Sequence, residues 1–109
     1  LKPFLLFVEG LISFETAHTA DDVKWKMIAQ HSLDEMKSYA NYAPANYKHK
    51  LLLLQAESAF LSGQKDDAAR LYDNAINTAD ENGFVQDQAV AYERAGMFHF
   101  EQGNASVAS

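Results

Sequence analysis

The chain has 109 residues, of which 48% are hydrophobic and 22% charged, with 15 acidic against 9 basic side chains and a formal net charge of −6. That is the length of one domain with the composition of a globular one, which excludes intrinsic disorder. The acid excess argues against a nucleic-acid partner, and the absence of cysteine excludes disulfides, thiolate metal sites and a cysteine nucleophile.

Helical periodicity dominates from the start. Phe4, Phe7, Val8, Leu11 and Phe14 recur at helical spacing, and Pro3 suits a first turn, where its missing N–H would have no partner anyway. The first helix is predicted from Pro3 to Thr16–His18. Its longest apolar run, Phe4 to Val8, is far short of the ~20 residues that span a bilayer. No basic segment with a small-residue cleavage site precedes it. Neither a membrane anchor nor a signal peptide is expected, and the expected location is the cytoplasm.

Thr19 or Asp21 is expected to cap a second helix whose stripe is Trp25, Ile28, Ala29, Ser32, Leu33, Met36, Tyr39 and Ala40. Pro44 ends it, because the residue before a proline is pushed out of the α region. Asn46 is the expected cap of a third helix through Leu51–Leu54, Ala56, Ala59, Phe60 and Leu61, which Ser62-Gly63 stops. A fourth carries Ala68, Ala69, Leu71, Tyr72, Ala75, Ile76 and Ala79 up to Asn82-Gly83. A fifth carries Ala89, Tyr92, Ala95, Gly96, Phe98 and His99 up to a stop at Gln102-Gly103, and Ala105–Ser109 is expected to begin a sixth. Leu1 is not an initiator Met and the last residues read as the start of an element, so a piece of a longer protein is expected. The predicted fold class is all-α, and the short connections imply antiparallel hairpins.

Charge is uneven along the chain. Residues 1–50 balance acids and bases, whereas residues 51–109 hold Glu57, Asp66, Asp67, Asp73, Asp80, Glu81, Asp87, Glu93 and Glu101 against Lys65, Arg70 and Arg94. A solvated helical surface is the simple reading; an acidic face for a basic partner is the sharper one.

The pairs Ala56/Gly96, Gly63/Gly103 and Ala68/Ala108 are each 40 residues apart. A small residue midway along one helix, a glycine turn and an alanine on the next helix suit a hairpin in which backbones approach closely. This spacing resembles the tetratricopeptide repeat, with a period longer than the usual ~34 residues. The resemblance implies an α–α solenoid, a right-handed superhelix of stacked hairpins. On that reading the chain is a single helical repeat fragment: 1–43 a divergent first pair, 44–83 a repeat, and 84–109 a partial repeat.

Longer segments carry a second resemblance. Ala43-Pro44-Ala45-Asn46-Tyr47-Lys48-His49-Lys50 is followed by Gln55-Ala56-Glu57, Gly63, Tyr72-Asp73-Asn74-Ala75-Ile76 and Ala79 to Phe84, then by Ala89, Ala91, Glu93, Ala95, Phe98 and Gly103. Over roughly residues 25–109 this is similar to the helical repeat region of large multidomain signalling proteins. In these, a protein-kinase-like domain and an AAA-type ATPase domain precede the repeats, and a GAF domain with a histidine kinase or other output domain follows. Tyr39 stands where that family would have tryptophan. The resemblance implies a non-catalytic scaffold or protein-interaction segment of a signal-transduction protein. The alternatives are a stand-alone peptide-binding adaptor and a helical segment that contributes groove residues to an enzyme.

No catalytic, cofactor or metal site is expected in the chain itself. His18, His31, His49 and His99 form no HExxH pattern. His31 with Asp34 and Glu35 offers too few ligands for zinc and reads as a surface ion pair. His99 reads as a packing residue. No phosphate-cradling GxxxxGK[ST] is present. Asp66-Asp67 and Asp80-Glu81 fit helix ends better than acid–base roles. Asn104-Ala105-Ser106 matches a glycosylation acceptor, which has no meaning in the cytoplasm. The remaining candidate is a protein-binding concave face, from Lys50, Leu53, Glu57, Phe60 and Leu61 on one unit and Val90, Glu93, Met97, Phe100 and Glu101 on the next. Where chaperone-binding tetratricopeptide proteins use Lys and Asn to hold a partner's C-terminal carboxylate, this face carries Leu53, Glu57, Glu93 and Met97 instead. The expected partners are a protein or neighbouring domains of the same chain, with self-association or helix exchange at an open apolar end around Tyr92, Phe98 and Phe100.

Overall fold

The structure, a computed structural model, describes the backbone of residues 2–108 and the side chains of residues 2–103. It contains five helices: α1 (Pro3–Ala20), α2 (Val23–Tyr42), α3 (Pro44–Leu61), α4 (Lys65–Glu81) and α5 (Val85–Ala108). No strand occurs among the described residues, so the all-α expectation holds. No helix among them is long and apolar enough to cross a membrane.

The connections explain why the helices stop where they do. Asp21 ends α1 in a left-handed conformation (φ 47°), with its N–H on the Ala17 carbonyl, a geometry that a short polar residue tolerates. The cap of α2 is therefore neither Thr19 nor Asp21, as the sequence suggested. Asp22 does it, accepting the Lys24 N–H at 2.9 Å, while Thr19 still belongs to the last turn of α1. Ala43 alone joins α2 to α3. Pro44 holds Ala43 out of the helical region and supplies the first residue of α3, so Asn46 lies inside the helix rather than at its cap. The next two turns are alike. Gly63 (φ 76°) and Gly83 (φ 77°) sit in left-handed geometry; Gln64 N–H reaches Ala59 and Phe84 N–H reaches Ala79, both at 2.9 Å. These are six-to-one bonds that satisfy the final carbonyls of a helix.

Connections of one to three residues reverse the chain each time. The smallest extent of the molecule is 19 Å, about two helix diameters, which is a two-layer arrangement. α1, α3 and α5 lie in one layer and touch in series; α2 and α4 pack against them from the other. The core is built from Leu6, Phe7 and Phe14 on α1, Ala29, Leu33 and Met36 on α2, Leu53, Leu54 and Ala56 on α3, Ala68, Tyr72 and Ala75 on α4, and Ala91, Ala95 and Phe98 on α5. Small residues mark the crossings. At Gly10 a Cβ would come within 2.8 Å of Leu54 Cδ2 and 3.1 Å of Ser32 Cβ, so α1, α2 and α3 meet there only because glycine has no side chain.

The first four helices match their expected positions and α5 does not. Gly103 does not end it, and no sixth helix begins at Ala105: α5 runs on to Ala108. The reason is local. Gly63 and Gly83 adopt positive φ whereas Gly103 does not. Gly96 was expected at a crossing like Ala56, yet it is exposed with nothing within 4 Å of an added Cβ. The inner face of α5 is Ala91, Ala95 and Phe98, while Ala89, Tyr92 and His99 of the expected stripe face outward. The Ala108 side chain, aligned with Ala68 in the repeat, lies outside the described side chains.

The two glycines should respond oppositely to substitution. Gly10→Val is expected to destabilise by ~1–3 kcal/mol through overpacking, whereas Gly96→Ala should stabilise by ~0.5–1 kcal/mol by removing backbone entropy at an open site. Urea denaturation of both variants checks the pair; equal shifts would contradict the packing.

Candidate functional site

The residues expected to form one open concave face do not share a surface. Lys50, Leu53 and Glu57 are buried; Phe60, Leu61, Val90 and Glu101 are partly buried; only Glu93, Met97 and Phe100 are exposed. The cause is that long side chains of α1 and α5 meet across α3. Arg94 of α5 lies 3.6 Å from Glu15 of α1, and His18 of α1 lies 3.0 Å from Glu101 of α5. These contacts close over α3 and convert its expected binding surface into an interior seam. Phe60 is enclosed there between His18 (centroids 4.3 Å apart) and Phe98 (5.2 Å, edge-on).

Glu57 is the centre of the seam. Its residue is 2% exposed, and it accepts Arg94 Nε at 2.8 Å and the Tyr72 hydroxyl. One carboxylate thus joins α3 to α4 and α5, and Arg94 continues to α1 through Glu15. Burial is the larger influence on Glu57 and pushes its carboxyl above the usual carboxylate range; the Arg94 charge and the Tyr72 hydroxyl pull against it. Tyr72 is pushed up as well, first by burial and then by the Glu57 charge. It therefore remains a phenol that donates. Burial works against the Arg94 charge too, but Glu57 and then Glu15 outweigh it, so its pKa is raised.

A second cluster lies about two turns toward the start of α3. Asp87, in the first turn of α5, accepts from Lys50 Nζ and takes His49 Nε2 at 2.6 Å. Hydrogen bonding to His49 is the first cause that holds its carboxyl below the usual range, and Lys50 adds to it against the opposing effect of burial. Lys50 Nζ also lies 5.1 Å from the Phe7 ring centre and 5.3 Å from that of Phe84, so its charge rests between two aromatic faces. His49 stacks on Phe84 at 4.3 Å. Its Nδ1 is buried without a hydrogen-bond partner.

Both clusters place charges at helix–helix contacts, and Asp87 also lines a pocket with Phe4, Phe84 and Gln86. His31 pairs with Glu35 at 3.3 Å on the exposed side of α2, as expected. His99 is exposed beside Phe98, not packed inside. No three His, Asp or Glu side chains among the described residues come together as a metal site. A groove of ≈ 590 Å³ runs between α2 and α4 over α3; Gln30, Lys37, Gln55, Ser58 and Arg70 line it together with Leu33, Leu52 and Leu71. A second, apolar groove of ≈ 450 Å³ lies between α1 and α2, over Leu5, Val8, Ile12, Trp25 and Ile28.

Sequence reasoning did not foresee Glu57, Arg94, His49 and Asp87 as partners. Glu57 and Arg94 are separated by 37 residues, and no helical period links them. One signal was available: His49 and Lys50 are polar residues directly ahead of Leu51–Leu54 on an apolar helix, where burial requires a counter-charge. Comparison with protein-family models, with curated proteins and with solved structures finds no match.

Two predictions test the seam. Glu57→Ala should destabilise by about 3–5 kcal/mol, because Arg94 loses its buried partner; Glu57→Leu with Arg94→Met should recover most of that loss in thermal unfolding. Asp87 has a folded pKa below its ordinary 3.8, so the stability it adds is present above 3.8 and is lost as pH falls through the depressed value. Asp87→Asn should therefore lower the melting temperature at pH 7, and the gap to the parent chain should narrow below pH 3.8.

Proposed function

We propose that the chain is a non-catalytic helical scaffold that presents protein-binding surfaces, as a segment of a larger cytoplasmic signal-transduction protein of the ATPase and histidine-kinase type. The observation that carries the reading is where the residues of the second resemblance sit. Pro44 starts α3, His49 and Lys50 meet Asp87, Glu57 meets Tyr72, and Phe84 stacks on His49. The shared motif is used to lock successive helices together. A family signature made of interhelical contacts suits a rigid spacer better than a catalyst.

Stacked hairpins favour this use physically. Each helix pair contacts mainly its neighbours, so the array holds a fixed shape and offers long grooves between helices. The tetratricopeptide-like superhelix belongs to the same proposal. So do the partners: another protein, or domains elsewhere in the same polypeptide. A stand-alone adaptor is the second reading, favoured by the polar groove over α3, where the amides of Gln30 and Gln55 suit an extended peptide backbone.

The test has two arms. Immobilised chain is screened against a displayed peptide library, and the same chain is incubated with ATP and Mg²⁺. Saturable peptide binders, with neither nucleotide affinity nor phosphate transfer, are the expected outcome. Phosphate on His31, or micromolar nucleotide binding, would overturn the scaffold reading; binders that cross-link to Gln30 or Gln55 would favour the adaptor.

A further inference from the structure

α1 is apolar on nearly every side of its first three turns. Leu6, Phe7 and Phe14 belong to the core, yet Phe4, Leu5 and Ile12 on the other side are 64%, 51% and 55% exposed. Glu9 is the one charged residue between Pro3 and Phe14. A helix with apolar residues all round belongs in an interior. The outer face of α1 is also one wall of the ≈ 450 Å³ groove, where Leu5, Val8 and Ile12 stand opposite Trp25 and Ile28 of α2. Projecting side chains and the hollow beside them therefore lie on a single surface.

Shape, charge and area each name the occupant. A patch that carries both knobs and a hollow can complement itself about a two-fold axis, because residue i of one copy then meets residue j of the other, and j meets i. Residues 1–50 balance acids and bases, whereas the whole net charge of −6 lies in residues 51–109. α1 and α2 are thus the flank on which two copies meet without net repulsion. The patch also holds one side chain of each sign with no ion pair among the described residues. Glu9 lines the groove, with only the Ser32 hydroxyl on it at 3.3 Å, and Lys24 rests over the Trp25 ring at 5.5 Å. The exposed apolar area of α1 and the groove is roughly 400 Å², about half of the ~800 Å² that each partner gives to a stable interface, the remainder being polar rim. The end expected to self-associate around Tyr92, Phe98 and Phe100 lacks these features: Phe98 is buried, and that half of the chain carries the acid excess.

We propose that the outer face of α1 and the α1–α2 groove form the contact between two copies of this chain, related by a two-fold axis. Phe4, Leu5 and Ile12 of each copy fill the groove of the other, and Glu9 of each meets Lys24 of the partner subunit. Trp25 is then shut off from water. The two charge pairs fix the orientation of a contact that apolar burial alone would leave free to slide. The inference goes beyond the scaffold reading, since it says how two such segments are held together, and neither one requires the other.

The experiment is sedimentation equilibrium of the 109-residue chain, read together with the emission of Trp25, its sole tryptophan. Over about a hundred-fold range of concentration the mass should rise from one chain to two, and the emission should shift to the blue in step. Ile12→Glu, at an exposed position, should keep the helical circular dichroism and remain a single chain throughout. Glu9→Lys and Lys24→Glu should each raise the dissociation constant about ten-fold. An equimolar mixture of these two variants should regain the parental affinity, because a mixed pair restores both charge contacts. A single chain at every concentration, association that survives Ile12→Glu, or a mixture no tighter than its components would overturn the proposal. An apolar peptide that shifts the Trp25 emission of a chain that stays single would assign the groove to another protein and overturn it equally. Library peptides that bind such a single chain would leave the scaffold reading standing, whereas phosphate transfer by a two-fold pair would sink that reading and spare this one.

Discussion

Glu57 is the constraint on which the arrangement depends. A carboxylate that is 2% exposed is costly to bury, and the cost is offset only when its oxygens are paired. Tyr72 and Arg94 supply the pairing from two other helices, and Arg94 extends the link to Glu15. Hydrophobic burial can bring helices together in several registers, because it has no direction. A buried ion pair tolerates few of them. The crossing of α3, α4 and α5 is therefore specified by polar geometry inside an apolar contact, and α1 is drawn over the same seam.

The Asp87 cluster does the equivalent work at the other end of α3. Lys50 and His49 bring two buried polar groups to one carboxylate at the start of α5, where the positive end of the helix dipole also favours an acid. Phe84, in the turn before α5, covers both. Together the two clusters fix α5 at two levels about two turns apart. This explains why a helix whose inner face is only Ala91, Ala95 and Phe98 holds its place: small side chains let it sit close, and charges decide where.

The surfaces left open have contrasting chemistry. Between α2 and α4, amides, hydroxyls and paired charges line a groove that also takes in Leu33, Leu52 and Leu71; between α1 and α2 the walls are mostly apolar. On the scaffold reading proposed above, each face would select a different kind of partner while the polar seam stays internal. An open concave face over α3 needs the side chains of α1 and α5 to stand apart. Their approach across α3 moves Lys50, Leu53 and Glu57 inside and leaves Glu93, Met97 and Phe100 outside.

Local physics was legible in the residues. Pro44 forces the one-residue break between α2 and α3, Gly63 and Gly83 mark two turns of the same geometry, and the stripes Ala29–Ala40 on α2 and Ala68–Ala79 on α4 name the faces that are buried. Helix type, most helix ends and these faces depend on backbone preferences and a 3.6-residue period, and both are written within a few neighbouring positions. α5 escaped that reading because it has two apolar faces. Ala89, Tyr92 and Gly96 look as core-like as Ala91, Ala95 and Phe98, and only the packing of α3 and α4 selects the second set. Gly103 looks like Gly63, yet a glycine ends a helix only where the chain turns back. The Glu57–Arg94 and His49–Asp87 pairs join residues 37 and 38 apart, and their chemistry exists only once three helices are stacked. Sequence alone determined the first four helices and the breaks between them; the tertiary structure decided which faces and which charges meet, because those energies depend on distances across the fold.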